Sequence, residues 1–172
     1  MNNASIVRPQ ELLKYFVIYV AAQVLILNGI DYMHMFTPFL FIKFILSLPS
    51  SMSRIGQMLW AFAIGLVVDI FSNTTGLHAA SCVMIAYMRP GVCTFFGSND
   101  SANQEPTAKN FGTIRYMQYA AVLVLVHHFM FYALENSSLH NLDKVVGRTL
   151  CSALMTLLLV WCVEYFNMKR NK

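Results

Sequence analysis

Asp69 is the residue with the most chemistry to offer. It closes the apolar run MLWAFAIGLVV, and a polar turn segment, FSNTTGLHAA, begins two residues later. An ionisable side chain inside a long hydrophobic stretch is costly in lipid, so it faces the protein interior as a functional or packing group. A lone acid of this kind can bind a cation, accept hydrogen bonds from a helix N-terminus or hold a partner helix. An intramembrane aspartyl protease needs a second aspartate on an adjacent helix, and none is present; Glu164 is read near the cytoplasmic end of the last helix. The chain also lacks a Gly-x-Ser-x-Gly elbow, an HExxH pair and a phosphate-cradling glycine loop. No catalytic residue is assigned, and the chain reads as non-enzymatic.

Three further polar groups fall at membrane depth. Lys43 interrupts PFLFIKFILSL, and two readings are open: its long stem snorkels to the interface along a tilted helix, or its ammonium pairs with Asp69 inside the bundle. His127 and His128 are adjacent in VLVHHFMFYALE. Consecutive helical residues point about 100° apart, so at most one of the two is expected to face the interior. They lack a companion at metal-ligand spacing, and packing or an interhelical hydrogen bond is favoured over a proton or metal role. The cysteines Cys82, Cys93, Cys151 and Cys162 show no zinc or redox spacing and read as small apolar residues, without disulfides. No cofactor and no metal are expected.

The elements that must position these groups are membrane helices. Of 172 residues 57% are hydrophobic and 12% charged, and most apolar runs show no polar stripe, as in an all-α polytopic membrane protein. The runs predict a single domain of six transmembrane helices at about 12–30, 33–48, 55–71, 76–93, 113–135 and 145–166, with a polar loop over about 94–112. The second run is short for a full span. The first leads into Asp31-Tyr32-Met33-His34 and shows no convincing signal-peptide cleavage site. The fourth is expected to stop at Met88-Arg89-Pro90-Gly91, with Arg89 snorkelling to the headgroups.

Six helices put both termini on one side. Arg8, Lys14, Arg54, Arg89, Lys109, Arg115, Lys169, Arg170 and Lys172 fall on that side, so the positive-inside rule places it in the cytoplasm. The net charge of +4 thereby reports topology, and no nucleic-acid partner is expected.

The stretch Pro38 to Pro49, then Gly65-Leu66-Val67-Val68-Asp69-Ile70-Phe71-Ser72, Gly76, Ala79 and Ile85-Ala86-Tyr87 resembles the rod shape-determining protein MreD family. The six-helix order, the length and the basic C-terminal tail are similar too, so the resemblance covers most of the chain. The long loop Gly97 to Gly112 and His78 after the turn glycine depart from the family pattern. The resemblance implies a non-enzymatic inner-membrane component of the bacterial elongation complex. It would support lateral peptidoglycan synthesis and cell shape. Its direct partner would be MreC, with RodA, a penicillin-binding transpeptidase and MreB reached through the complex, membrane lipid around it and room for a homodimer within the MreC complex. It also implies a fold similar to the substrate-binding subunits of energy-coupling-factor vitamin transporters, the second functional reading. The first helix, YFVIYVAAQVLILNG, has only Ala21-Ala22 where that class carries an alanine-rich motif. An intramembrane enzyme or ion pathway is a third reading and requires Asp69 and the histidines to converge.

The matched residues suggest a locked hairpin. Gly65 lies one turn before Asp69 and would let a neighbouring helix approach closely. Asp69 would cap the fourth helix through backbone N–H groups around Thr74 to Leu77, and Gly76 would supply the φ of the turn or room for packing. A pocket or partner-docking face centred on Asp69 is the alternative.

Overall fold

The computed structural model describes residues 9–28, 37–97, 106–136 and 142–170. The expected segment Asp31 to His34, the start of the second run, the core of the 94–112 loop, Arg8 and Lys172 lie outside the described residues. Helix α1 (Pro9–Ala22) opens on a proline, whose missing N–H is harmless in a first turn. It continues as a π-helical turn over Gln23–Leu27. Helix α2 (Ile42–Leu46), α3 (Arg54–Ser72), α4 (Leu77–Phe96), α5 (Ala108–Phe111), α6 (Thr113–Glu135) and α7 (Leu142–Arg170) follow, and no strand occurs among the described residues. Among the described residues five helices are long and apolar enough to cross a membrane: Pro9–Leu27, Arg54–Ser72, Leu77–Phe96, Thr113–Glu135 and Leu142–Lys169. Large apolar side chains such as Leu25, Ile55, Ile70, Phe95, Ile114 and Leu158 stand on the outer surface, where lipid rather than water suits them. The chain is a multi-pass membrane protein.

The second run departs from the expected membrane helix over 33–48. Its described part is helical only at Ile42–Leu46, and Phe39 and residues Phe41 to Leu46 are buried inside the bundle. The preceding residues are non-helical because their backbone donors are met from the side. Phe39 N–H donates to Thr156 Oγ1 (3.0 Å), Thr37 N–H to Ser152 Oγ (3.1 Å) and Leu40 N–H to Gln23 Oε1 (2.8 Å). Irregular backbone is tolerated at membrane depth only where protein surrounds it. Gln23 also donates from Nε2 to the Pro38 carbonyl (3.1 Å), so the amide at the start of the π-helical turn meets the backbone on both sides of Phe39.

Helix α4 does not stop at Arg89-Pro90 but runs to Phe96. Pro90 removes one helical hydrogen bond, and Arg89, buried at 1% exposure and bonded to three other segments, pins the helix at that point. Helices α3 and α4 pack along their lengths, α4 against α6 and α6 against α7. This makes α6 the central helix.

Candidate functional site

Two polar clusters sit at opposite ends of the bundle. At the α3–α4 turn, Asp69 is 2% exposed. Its Oδ1 accepts from the backbone N–H of His78 (3.0 Å) and from the Thr74 hydroxyl, and its Oδ2 from the N–H of Ala79 (2.9 Å). His78 and Ala79 are the second and third residues of α4, so the carboxylate supplies from outside the helix what an N-cap side chain ordinarily supplies from within. The N–H groups used lie slightly further along than the expected Thr74 to Leu77. The turn itself has Asn73 at φ 54° and Gly76 at φ 84°. A Cβ on Gly76 would meet nothing within 4 Å, so the glycine answers the backbone angle and not crowding. Gly65 is the reverse case: a Cβ there would fall 2.6 Å from Ala79 Cα. The helices touch backbone to backbone where Asp69 reaches across.

Lys43 is nowhere in this cluster. The expected alternatives, snorkelling or pairing with Asp69, are both replaced. Lys43 is 2% exposed, and its Nζ donates to Glu164 Oε2 and Tyr116 Oη, each at 2.6 Å. Glu164 Oε1 accepts from the Ala108 N–H (2.8 Å), the first residue of α5. Glu164 lies near the helix end, as expected, but it points inward and is 4% exposed. Arg89, read as snorkelling, forms a second interior clamp. Its Nε donates to Tyr119 Oη (3.0 Å), Nη1 to Gln57 Oε1 (2.8 Å) and Nη2 to the carbonyls of Leu48 and, at 3.4 Å, Leu46. Tyr119 donates to the Leu46 carbonyl as well (3.1 Å). A guanidinium suits this position because its fork satisfies several acceptors in one plane, here the carbonyls left open where α2 ends.

Between the clusters lies an aromatic layer containing three histidines. His127 and His128 are both buried, against the expectation that only one could be. The reason is the central place of α6, which has α4 on one side, α7 on another and the second run beside it. His128 Nδ1–H donates to the Val124 carbonyl (2.9 Å), and its Nε2 lies 3.2 Å from Thr156 Oγ1 as an acceptor. Phe39 stacks on His128 (4.9 Å between centroids) and Phe131 on His78 (4.4 Å), while His127 Nε2 approaches Cys82 Sγ at 3.6 Å. Among the described residues no hydrogen bond joins Asp69 to a histidine ring, and no group of three or more His, Cys, Asp or Glu is placed to hold a metal ion. All four cysteines are free thiols.

Comparisons with protein-family models, with curated proteins and with solved structures found no match to this chain.

Two concave surfaces accompany these clusters. A cleft of about 370 Å³ opens at the end where α1 begins and α7 finishes, with Leu12, Lys43, Lys109, Glu164 and Met168 among its walls. A shallower apolar groove of about 470 Å³ runs between α6 and α7, lined by Thr113, Ile114, Met117, Gln118, Ala121, Leu157 and Trp161. Gln118 is exposed there, an amide on the outer face of a membrane helix. Glu164, Arg89, Gln57, Gln23 and His78 are structural polar residues that the sequence reading did not single out as site residues. Their common signal is a lone hydrogen-bonding side chain within an apolar run.

Proposed function

We propose that this chain is a non-enzymatic inner-membrane scaffold of the MreD type, which binds the single membrane helix of MreC within the bacterial elongation complex. The observation that carries the reading is the hairpin: Gly65, Asp69, Gly76 and Ala79, the residues of the resemblance, fall into one unit in which helix contact, cap and turn are interdependent. Asp69 then acts as a lock for the α3–α4 pair rather than as a reactive acid. Catalysis is disfavoured because both of its oxygens are already engaged by backbone donors.

Taking the buried second run as a further traverse beside the five span-length helices of the described residues, we read the chain as passing six times between the two ends of the bundle. This agrees with the described ends of α1 and α7 lining one cleft. With the positive-inside rule that shared end faces the cytoplasm. The six-traverse plan is also the basis for the likeness to vitamin-capture subunits. That alternative calls for a pocket at the end away from the termini, and the cleft lies at the other end.

The groove between α6 and α7 is the docking face for MreC. Helices associate in lipid through close packing and interhelical hydrogen bonds. Ala121 offers the close approach, and Gln118 offers an amide whose exposure to lipid is unfavourable until a partner covers it. The test is co-purification of the host MreC with this protein in mild detergent, for wild type, Ala121→Trp and Gln118→Leu at equal expression. Wild type retains MreC, Ala121→Trp loses it and Gln118→Leu retains less. Absence of any complex with wild type would overturn the scaffold reading, and retention by Ala121→Trp would move the docking face elsewhere.

A further inference from the structure

The cleft at the shared end of α1 and α7 has a chemistry of its own. Its one carboxylate is engaged: Glu164 Oε2 takes Lys43 and Oε1 takes the Ala108 N–H. Its donors are not. The Lys43 ammonium carries three N–H bonds and uses two, on Glu164 and Tyr116. Tyr19, whose ring is buried in the wall, and Lys109, exposed at the rim, make no side-chain hydrogen bond to a described residue. A cavity with surplus donors and two cations around one neutralised carboxylate selects an acceptor-rich anion. Phosphate is the group that offers several charged oxygens to donors set at different angles.

The walls narrow the class. Leu12, Tyr15 and Tyr19 are three and four residues apart, so one face of α1 lines the cleft. Leu13 and Val17, at 55% and 56% exposure, carry the adjacent face outward. Phe44 and Met168 add apolar wall. An anion with an attached hydrocarbon tail fits a donor-lined cavity bordered by a lipid-facing helix; basic cavities between membrane helices near one surface take anionic lipid headgroups in this way.

We propose that this cleft is a binding site for the phosphate of an anionic phospholipid, with Lys43 at its floor, Tyr19 on its wall and Lys109 at its rim. The acyl chains would lie along the outer side of α1. The site does not rest on the MreC reading, which concerns the groove lined by Leu157 and Trp161 of α7 and by α6, whereas the cleft is lined by Glu164 and Met168 of α7 with α1 and α2.

The test is native mass spectrometry of the full chain released from detergent, titrated with phosphatidylglycerol or phosphatidylcholine. Glycerol 3-phosphate and inorganic phosphate serve as tail-free competitors. The variants are Lys109→Gln, Tyr19→Phe and, as a control, Lys14→Gln, an exposed lysine of α1 outside the cleft wall. Lys43 is left intact because its loss would disturb the fold. Wild type should retain phosphatidylglycerol over phosphatidylcholine, and Lys109→Gln should weaken it by about tenfold, the equivalent of one charge-assisted hydrogen bond. Tyr19→Phe should weaken it less, and Lys14→Gln should match wild type. Equal retention of the two lipids, or an effect of Lys109→Gln no larger than that of Lys14→Gln, would overturn the site. Displacement of phosphatidylglycerol by glycerol 3-phosphate or phosphate at equal concentration, with the same residue dependence, would overturn the lipid assignment and leave a soluble phosphate as the ligand.

Discussion

The two ends of the bundle neutralise buried charge by different means. At the α3–α4 turn a carboxylate is satisfied by backbone: the N–H groups of His78 and Ala79, nine and ten residues along the chain, with a local hydroxyl beside them. At the shared end of α1 and α7, Lys43 and Glu164 satisfy each other across 121 residues. Arg89 there gathers carbonyls and side chains from α2, α3 and α6. The first arrangement locks one hairpin. The second fastens the interior run to α4, α6 and α7, so the same class of residue serves local structure at one end and long-range assembly at the other.

This difference sets an order of mutational effects. Glu164→Gln leaves the Lys43 ammonium buried without its counter-charge, and breaking one side of a buried pair typically costs about 3–5 kcal/mol. Thermal unfolding in detergent should show the largest loss for this variant, with much of it recovered in Lys43→Met/Glu164→Leu. If the double variant is no more stable than Glu164→Gln, the pair does not act as a unit.

Gly65→Ala comes next. The added methyl would sit 2.6 Å from Ala79 Cα, and overpacking of this kind costs about 1–3 kcal/mol. Because the contact is backbone to backbone, it also draws Asp69 away from its N–H partners. Asp69→Asn is milder, at about 1–2 kcal/mol, because one acceptor oxygen remains for the cap. The same unfolding assay should rank it between Gly65→Ala and Gly76→Ala. The last variant strains only a backbone angle, at about 1 kcal/mol. An Asp69→Asn loss equal to that of Glu164→Gln would erase the contrast between the ends.

The same contrast explains what was legible. The α3–α4 hairpin was readable from residues 65 to 79 because its partners are close in sequence and each residue type has one strong use: a glycine for close approach, a carboxylate for N–H groups, a glycine for positive φ. Span-length helices were readable from hydropathy. The second run was not, because PFLFIKFILSL is as apolar as a lipid-facing helix, and only the side-chain acceptors Thr156, Ser152 and Gln23 reveal that its backbone is held from outside. Lys43 and Arg89 were misplaced for the same reason. Their partners, Glu164, Gln57 and the carbonyls closing α2, lie on other segments, and charge alone makes snorkelling look natural. Helical geometry alone separates His127 from His128, but the buried face of α6, beside α4, α7 and the second run, is broad enough to take both, and Leu125 and Phe129 carry its outer face.

The most direct test of the scaffold account is site-specific photo-crosslinking in living cells, with a photoreactive amino acid at Ile114, exposed at the edge of the α6–α7 groove, or at Leu59, exposed on α3 away from it. The account predicts an adduct with the membrane helix of MreC from position 114 and none from position 59. Adducts of equal yield from both positions, or none from 114 in cells that hold both proteins, would contradict it.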